Sequence, residues 1–292
     1  MSSIREPAHV PVLPDETLRL LDPKPGEVWV DATVGGGGHA RLIAERIAPS
    51  GRLVGLDQDP TMLELARPRF DGLPVDLVHA SFEQLSVVLP PLGITRVDGI
   101  LADLGFCSDQ LDDANRGLSF RMEGPLDMRL DPTVGSTAAD LVNTLSEGAL
   151  ADTIFEYGEE RLSRRVARRI VERRVLKPFA TTADLADLVR SCVPRSGGQD
   201  PATRVFQALR IAVNDELGAL ERLLALLPML VKPGGRAGII SFHSLEDRRV
   251  KQAFRTETVW KTLTRKPVEA SEAEAARNSR SRSAKLRVAL RL

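Results

Sequence analysis

Cysteine is nearly missing from this chain. Two residues, Cys107 and Cys192, among 292 are too few for a disulfide framework or a thiolate metal cluster. Histidine is also sparse: His9, His39, His79 and His243 share no ligand spacing, so no metal site is expected. Aromatic residues make up only 4%, which argues against a many-ringed platform for stacking bases. No apolar run reaches the roughly 18 residues of a membrane span, and the first residues lack the apolar core of a signal peptide. The expectation is a soluble, cytoplasmic protein with no membrane partner. Net charge is absent too, because 40 basic and 40 acidic residues cancel. No global field demands a nucleic-acid partner, so any such partner must be met by local patches. With 42% hydrophobic and 27% charged residues, the chain is of ordinary globular composition. It is long enough for one large or two modest domains.

What the chain does have is the run Val28-Trp29-Val30-Asp31-Ala32-Thr33-Val34-Gly35-Gly36-Gly37-Gly38-His39. An apolar strand-like segment ends in a carboxylate, four glycines follow, and a helical pattern runs from Ala40 to Ile47. A strand, a glycine turn and a helix N-terminus make a nucleotide-type crevice. A second strand-like segment, Arg52-Leu53-Val54-Gly55-Leu56-Asp57, ends in an acid about 20 residues beyond the glycines, where such folds hold a ribose diol. Gly35, Gly37 and Ala40 satisfy G-x-G-x-x-G/A, so a dinucleotide is one reading, and a bare strand-to-helix turn is another. S-adenosylmethionine (SAM) is the third and preferred reading. Asp31 stands just before the glycines, and a carboxylate there suits a ligand with an ammonium better than one with a pyrophosphate.

Residues 16–21 read as a short helix stopped by Asp22-Pro23-Lys24-Pro25-Gly26. Strands are expected over 27–31, 52–57, 75–80 and 97–104, with helices over 38–47 and from Pro60 to Arg69. This alternation predicts a parallel sheet with right-handed crossovers. The next good strand is Arg236 to Phe242, introduced by Lys232-Pro233-Gly234-Gly235. That gap far exceeds the roughly 30 residues of one strand–helix–strand unit, so about 90 to 100 residues are inserted. Within them 138–157, 158–177 and 181–193 have helical periodicity, with Thr182 as a cap. The inserted helical domain is therefore expected over 110–205, and the stretch 204–231 as the crossover helix returning to the sheet. Ser244 is a cap-like start for a further helix, 269–284 reads as a long mobile loop, and Lys285 to Leu292 alternates as a final strand.

Reaction centres in open α/β sheets lie beyond the strand carboxyl ends. Asp31, Asp57, Ser81-Phe82 and Asp103 fall there, and Asp103 opens the polar loop Leu104-Gly105-Phe106-Cys107-Ser108-Asp109-Gln110. Long runs then carry a resemblance. They include His9-Val10-Pro11-Val12-Leu13, Asp57-Gln58-Asp59-Pro60, Gly124-Pro125-Leu126-Asp127-Met128-Arg129, Tyr157-Gly158-Glu159-Glu160-Arg161, Pro201 to Ala208 and Ser241-Phe242-His243-Ser244-Leu245-Glu246-Asp247-Arg248. With these the chain resembles the RsmH (MraW) family, SAM-dependent methyltransferases that modify N4 of a cytidine in small-subunit ribosomal RNA.

The resemblance implies a class I SAM-dependent methyltransferase fold, Rossmann-like, with a mostly parallel seven-stranded sheet and an inserted all-helical domain. On this reading residues 1–109 and 206–292 form the SAM-binding domain and 110–205 the substrate-recognition insert. The resemblance further implies a 16S rRNA (cytosine-N4)-methyltransferase with the small ribosomal subunit as partner, monomer or homodimer. It implies SAM contacts at Gly37, Gly38, His39, Asp57, Phe82, Asp103 and Gln110, beside Asp31. At Cys107 the family usually carries serine, and no mechanism is built on the thiol. Asp103, or a neighbouring carbonyl, is the candidate acceptor for an N4 hydrogen, and His243 or Ser244 the candidate base-orienting group. Two basic runs are candidates for phosphate contact. One is Arg161, Arg164, Arg165, Arg168, Arg169, Arg173 and Arg174; the other is Arg277, Arg280, Arg282, Lys285 and Arg287. For the first, a solvated face flanking an apolar stripe is the competing reading.

Overall fold

A computed structural model describes residues 10–195, 198 and 200–292; His9 of the first motif lies outside them. The chain divides into two compact units. The first runs to Cys107 and resumes at Leu217–Leu292, and the second is Ser108–Glu216.

Seven strands form one sheet in the first unit: β1 (Val28–Asp31), β2 (Arg52–Asp57), β3 (Val75–His79), β4 (Val97–Asp103), β5 (Val231–Ser241), β6 (Trp260–Thr262) and β7 (Lys285–Arg291). Their order is β3-β2-β1-β4-β5-β7-β6. β1 to β5 are parallel, and β7 runs antiparallel to both β5 and β6. Trp29, Val30, Leu53, Val54, Ile100 and Leu101 are fully buried, as a sheet covered on both faces requires. Gly99 is required by its neighbour, since a Cβ there would stand 2.2 Å from the Trp29 ring.

The helices in chain order are α1 (Pro14–Leu21), α2 (Gly38–Ile47), α3 (Pro60–Ala66) and α4 (Leu85–Val88), then α5 (Ser108–Asp112), α6 (Ala138–Thr144), α7 (Glu147–Gly158), α8 (Ser163–Leu176), α9 (Thr182–Cys192) and α10 (Ala202–Asn214), and finally α11 (Glu216–Leu230), α12 (Ser244–Ala253) and α13 (Glu272–Arg277). On one sheet face Leu220, Leu223 and Leu227 of α11 join Val30, Val54 and Ile100. On the other, Leu18 and Leu21 of α1 and Ile43 and Ile47 of α2 join Trp29 and Leu53. Each such leucine or isoleucine contributes about 1.5 to 3 kcal/mol by leaving water.

The second unit is helical. α7, α8 and α10 bury Leu150, Ile154, Val166, Ile170, Val205 and Leu209. Gly158 permits close approach to α10, since a Cβ on it would be 2.5 Å from the Arg204 carbonyl oxygen.

Several local expectations are corrected. The stretch 204–231 is two helices, broken at Asp215 with φ 47°. The Asn214 side chain accepts from Leu130 N at 2.7 Å and donates to the Met128 carbonyl at 2.8 Å, which ends α10. The second unit therefore runs on to Glu216. The segment 138–157 is divided at Ser146, whose hydroxyl accepts from Ala149 N and starts α7. Thr181, not Thr182, caps α9 by accepting from Asp184 N, while the Thr182 hydroxyl donates to the Met122 carbonyl at 2.9 Å. His243, not Ser244, is the residue before α12. The helical pattern from Pro60 gives way after Ala66 to a tighter turn over Arg67–Phe70. The residues before Arg236 are already strand: β5 starts at Val231 and carries an irregular register opposite Val97 and Gly99. The stretch 269–284 is not loop throughout; it holds α13 and a 3-10 turn over Ser279–Ser283. β6 had no signal in the sequence, being three residues long.

Candidate active site

Strand order reverses beside β1, whose neighbours are β2 and β4. The carboxyl ends of these three strands carry Asp57, Asp31 and Asp103. The crevice at such a reversal is the expected ligand position.

Short local bonds fix the three acids. Asp31 Oδ1 accepts from Thr33 N at 3.0 Å, and the Thr33 hydroxyl accepts from Asp103 N at 2.6 Å. Asp57 Oδ2 accepts from Gly35 N at 2.7 Å and its Oδ1 from Asp59 N at 2.9 Å. Asp57 thus also anchors the glycine turn. That turn uses the left-handed region at Gly35 (φ 49°) and Gly37 (φ 82°), which a side chain would strain. Gly37 precedes α2, whose N-terminus has no side-chain cap and no acid in its first turn.

Two carboxylate oxygens, Asp31 Oδ2 and Asp103 Oδ1, are buried with no hydrogen-bond partner. Burial pushes the Asp31 carboxyl up to about 7, and Asp103 and Asp57 push the same way against the Thr33 bond. Burial likewise raises Asp103 to about 7, with Arg280 opposing and Glu246 assisting. Asp57 is raised by burial to about 6, held back by its bonds from Asp59 and Gly35. Three acids at one crevice, two with bare buried oxygens, form a site for a cation or a strong donor. This fits the SAM reading: Asp57 has lone pairs left for a diol, and Asp31 suits a cationic amino-acid end. A pyrophosphate would meet like charge.

His39 is 5% exposed. Burial lowers its imidazole to about 4, Arg280 assists, and a bond to the Val12 carbonyl opposes. It is neutral at pH 7. Phe82 is half-buried in a one-turn helix closed by a Ser81–Gln84 capping box. Gly38 lies against Pro11, whose ring atoms would be 3.0–3.1 Å from an added Cβ. Gln110 is 5% exposed and belongs to the second unit, in α5. Cys107 is buried, with its Sγ 3.1 Å from Met62 Sδ.

At the end of β5, buried Glu246 accepts from Phe242 N at 2.8 Å and His243 N at 3.3 Å. Its other oxygen lies 3.2 Å from His243 Nε2. Sequence reasoning passed over Thr33, Glu246 and the position of Arg280. Glu246 has a visible signal, the three-residue spacing of a capping box after His243; Thr33 has none.

The two basic runs behave differently. Arg287 is buried and pairs bidentately with Asp247 at 2.6 and 3.1 Å. Arg280 stacks on the Phe242 ring at 5.3 Å. Arg277 and Arg282 bond to backbone carbonyls of α13. This run is largely committed within the fold. In α8, Arg173 pairs with Asp184 at 2.6 Å, and Arg174 donates to the Val142 and Leu145 carbonyls. Arg161, Arg164, Arg165, Arg168 and Arg169 are exposed. Arg168 and Arg169 have exposed ion pairs with Glu147 and Glu172 at 3.6 and 3.0 Å. Among the described residues no helix is long and apolar enough to cross a membrane.

A family model described as the MraW methylase family matches residues 6–292. A protein of Geobacter sulfurreducens named ribosomal RNA small subunit methyltransferase H is 49% identical, covering 98% of this chain and 99% of its own length. Proteins of the same name from Syntrophotalea carbinolica and Sorangium cellulosum are each 52% identical over 97% of this chain, covering 98% and 91% of their own lengths.

Proposed function

The chain belongs to the MraW methylase family, and from that membership we propose that it methylates N4 of a cytidine in 16S ribosomal RNA. The enzyme is a SAM-dependent small-subunit rRNA methyltransferase. The observation that carries the site is the pair of buried, unpartnered carboxylate oxygens of Asp31 and Asp103 beside the glycine turn.

Asp57 holds the ribose diol and the turn together. Asp31 and the uncapped N-terminus of α2 receive the charged amino-acid end, with Gly37, Gly38 and His39 forming the wall. Phe82 is assigned to the same ligand by the family pattern. When bound, SAM supplies a methyl group on a sulfonium, already a good electrophile. Cytosine N4 is a poor nucleophile because its lone pair is delocalised into the ring. Asp103 accepts an N4 hydrogen and favours a pyramidal nitrogen. The methyl group would pass from the sulfonium to N4, and Asp103 would take the proton that leaves N4. A carboxyl raised to about 7 suits that transfer near neutral pH. His243, held by Glu246, orients the base.

The helical unit takes the RNA. The exposed arginines of α8 include like-charged pairs four residues apart, 164/168 and 165/169. Such pairs destabilise an isolated helix, and cations at a helix N-terminus oppose its dipole. Phosphates would relieve both costs. The site of action is the cytoplasm, where small subunits are found. The test is transfer of labelled methyl from SAM into small subunits lacking the modification. Changing Arg164, Arg165 and Arg168 together to glutamine should raise KM for subunits and reduce its salt dependence, leaving SAM affinity unchanged. No transfer into RNA by the wild-type chain would reject the function, and an unchanged KM would reject the α8 assignment.

A further inference from the structure

We propose that Val10–Leu13 is a strap that positions His39 for the methyl donor, and that Glu274 and Asn278, near the other end of the sequence, hold the strap in place. The inference rests on the reading of the SAM site given above.

Four tethers define the strap. Leu13 N donates to Glu274 Oε1 at 2.7 Å, and Asn278 Nδ2 donates to the Val10 carbonyl at 3.1 Å. Pro11 packs tightly against Gly38, its ring atoms 3.0–3.1 Å from where a Cβ would stand. The Val12 carbonyl bonds the His39 imidazole. Leu13 is fully buried in the left-handed region, φ 52°, a conformation that a leucine keeps only when its surroundings hold it. Asn278 does double duty, because its Oδ1 accepts from Arg280 N at 3.2 Å.

The consequence lies in the imidazole. Nε2 of His39 is buried with no partner, so the ring nitrogen bonded to Val12 is Nδ1. A neutral ring that donates from Nδ1 leaves Nε2 as a bare acceptor. The strap carbonyl therefore selects the tautomer, and the selected tautomer presents an acceptor beside the glycine turn, ready for a donor group of the ligand. Neither Glu274 nor Asn278 belongs to the turn; both act through the strap. They are positioning residues.

The test uses the full chain, S-adenosylhomocysteine as the probe, and three measurements. Calorimetry should show Glu274→Ala weakening the probe by about 10-fold, as expected for loss of one hydrogen bond to a charged acceptor. Glu274→Gln, which keeps an acceptor, should recover most of the affinity. Nitrogen-15 spectra of the imidazoles should show His39 protonated on Nδ1 in the wild type and as a tautomer mixture in Glu274→Ala. Amide exchange at Leu13 should rise in the same variant. Probe affinity within about twofold of wild type in Glu274→Ala, or a wild-type His39 protonated on Nε2, overturns the strap while leaving the SAM site standing. A wild-type chain that binds no probe overturns both.

Discussion

Replacing Asp31 with asparagine should stabilise the ligand-free protein at pH 8 and weaken its hold on SAM. The side chain is 1% exposed, and its hydrogen bond from Thr33 N to Oδ1 is one that an asparagine oxygen can also accept. Its other oxygen has no partner. The carboxyl ionises near 3.8 when unfolded and near 7 when folded. The folded state therefore binds the extra proton between these values. Stability from the neutral acid is complete below about pH 4 and is lost as pH rises through 7. Relative to a neutral side chain, the carboxyl costs about 4 kcal/mol at pH 8 and about 2 kcal/mol at pH 5. Denaturant unfolding at the two pH values should show Asp31→Asn gaining about 2 to 3 kcal/mol more at pH 8 than at pH 5. In calorimetry the same variant should lose about 10- to 150-fold in SAM affinity, because a charged acceptor has gone. An equal effect at both pH values, or a destabilised variant at pH 8 that binds SAM normally, would refute the reasoning.

Three further substitutions probe the site. Asp57→Asn should weaken SAM by about 10-fold in calorimetry, and Asp57→Ala by more, because it also frees Gly35 N and the turn. Asp103→Asn should lower turnover at saturating SAM by about 10²- to 10³-fold, a larger factor than its loss of SAM affinity; near wild-type turnover would remove Asp103 from the chemistry. Cys107→Ser should retain methyl transfer in the same assay, since the thiol is buried against Met62 and N4 chemistry needs no nucleophilic cysteine; a folded, SAM-binding but inactive variant would count against N4.

Much of the first unit was legible because its signals are local. Apolar runs ending in acids mark β1, β2 and β4, and glycines mark the turn that follows Asp31. The insertion was visible as an excess of chain between two strands. What stayed hidden depends on distant partners. Asn214 ends α10 by bonding to Met128 and Leu130, so a continuous amphipathic pattern broke in two. The Ser/Arg-rich segment before β7 looks mobile by composition, yet Glu274 and Asn278 tie it to residues 10–13. Arg287 reads as a phosphate contact by charge, but its partner Asp247 is 40 residues away. Asp31, Asp57 and Asp103 were legible as strand-end acids, whereas the unpartnered oxygens of Asp31 and Asp103 depend on how distant parts of the chain pack around them. Composition cannot reveal that Thr33 bridges Asp31 to Asp103.

The most direct measurement is the position of the transferred methyl group. Small ribosomal subunits lacking the modification are incubated with the enzyme and SAM, and the 16S RNA is digested to nucleosides for mass spectrometry against standards. The account predicts N4-methylcytidine, abolished or strongly reduced by Asp103→Asn. Methyl on C5 of cytosine or on a ribose oxygen, or no RNA methylation at all, would contradict it.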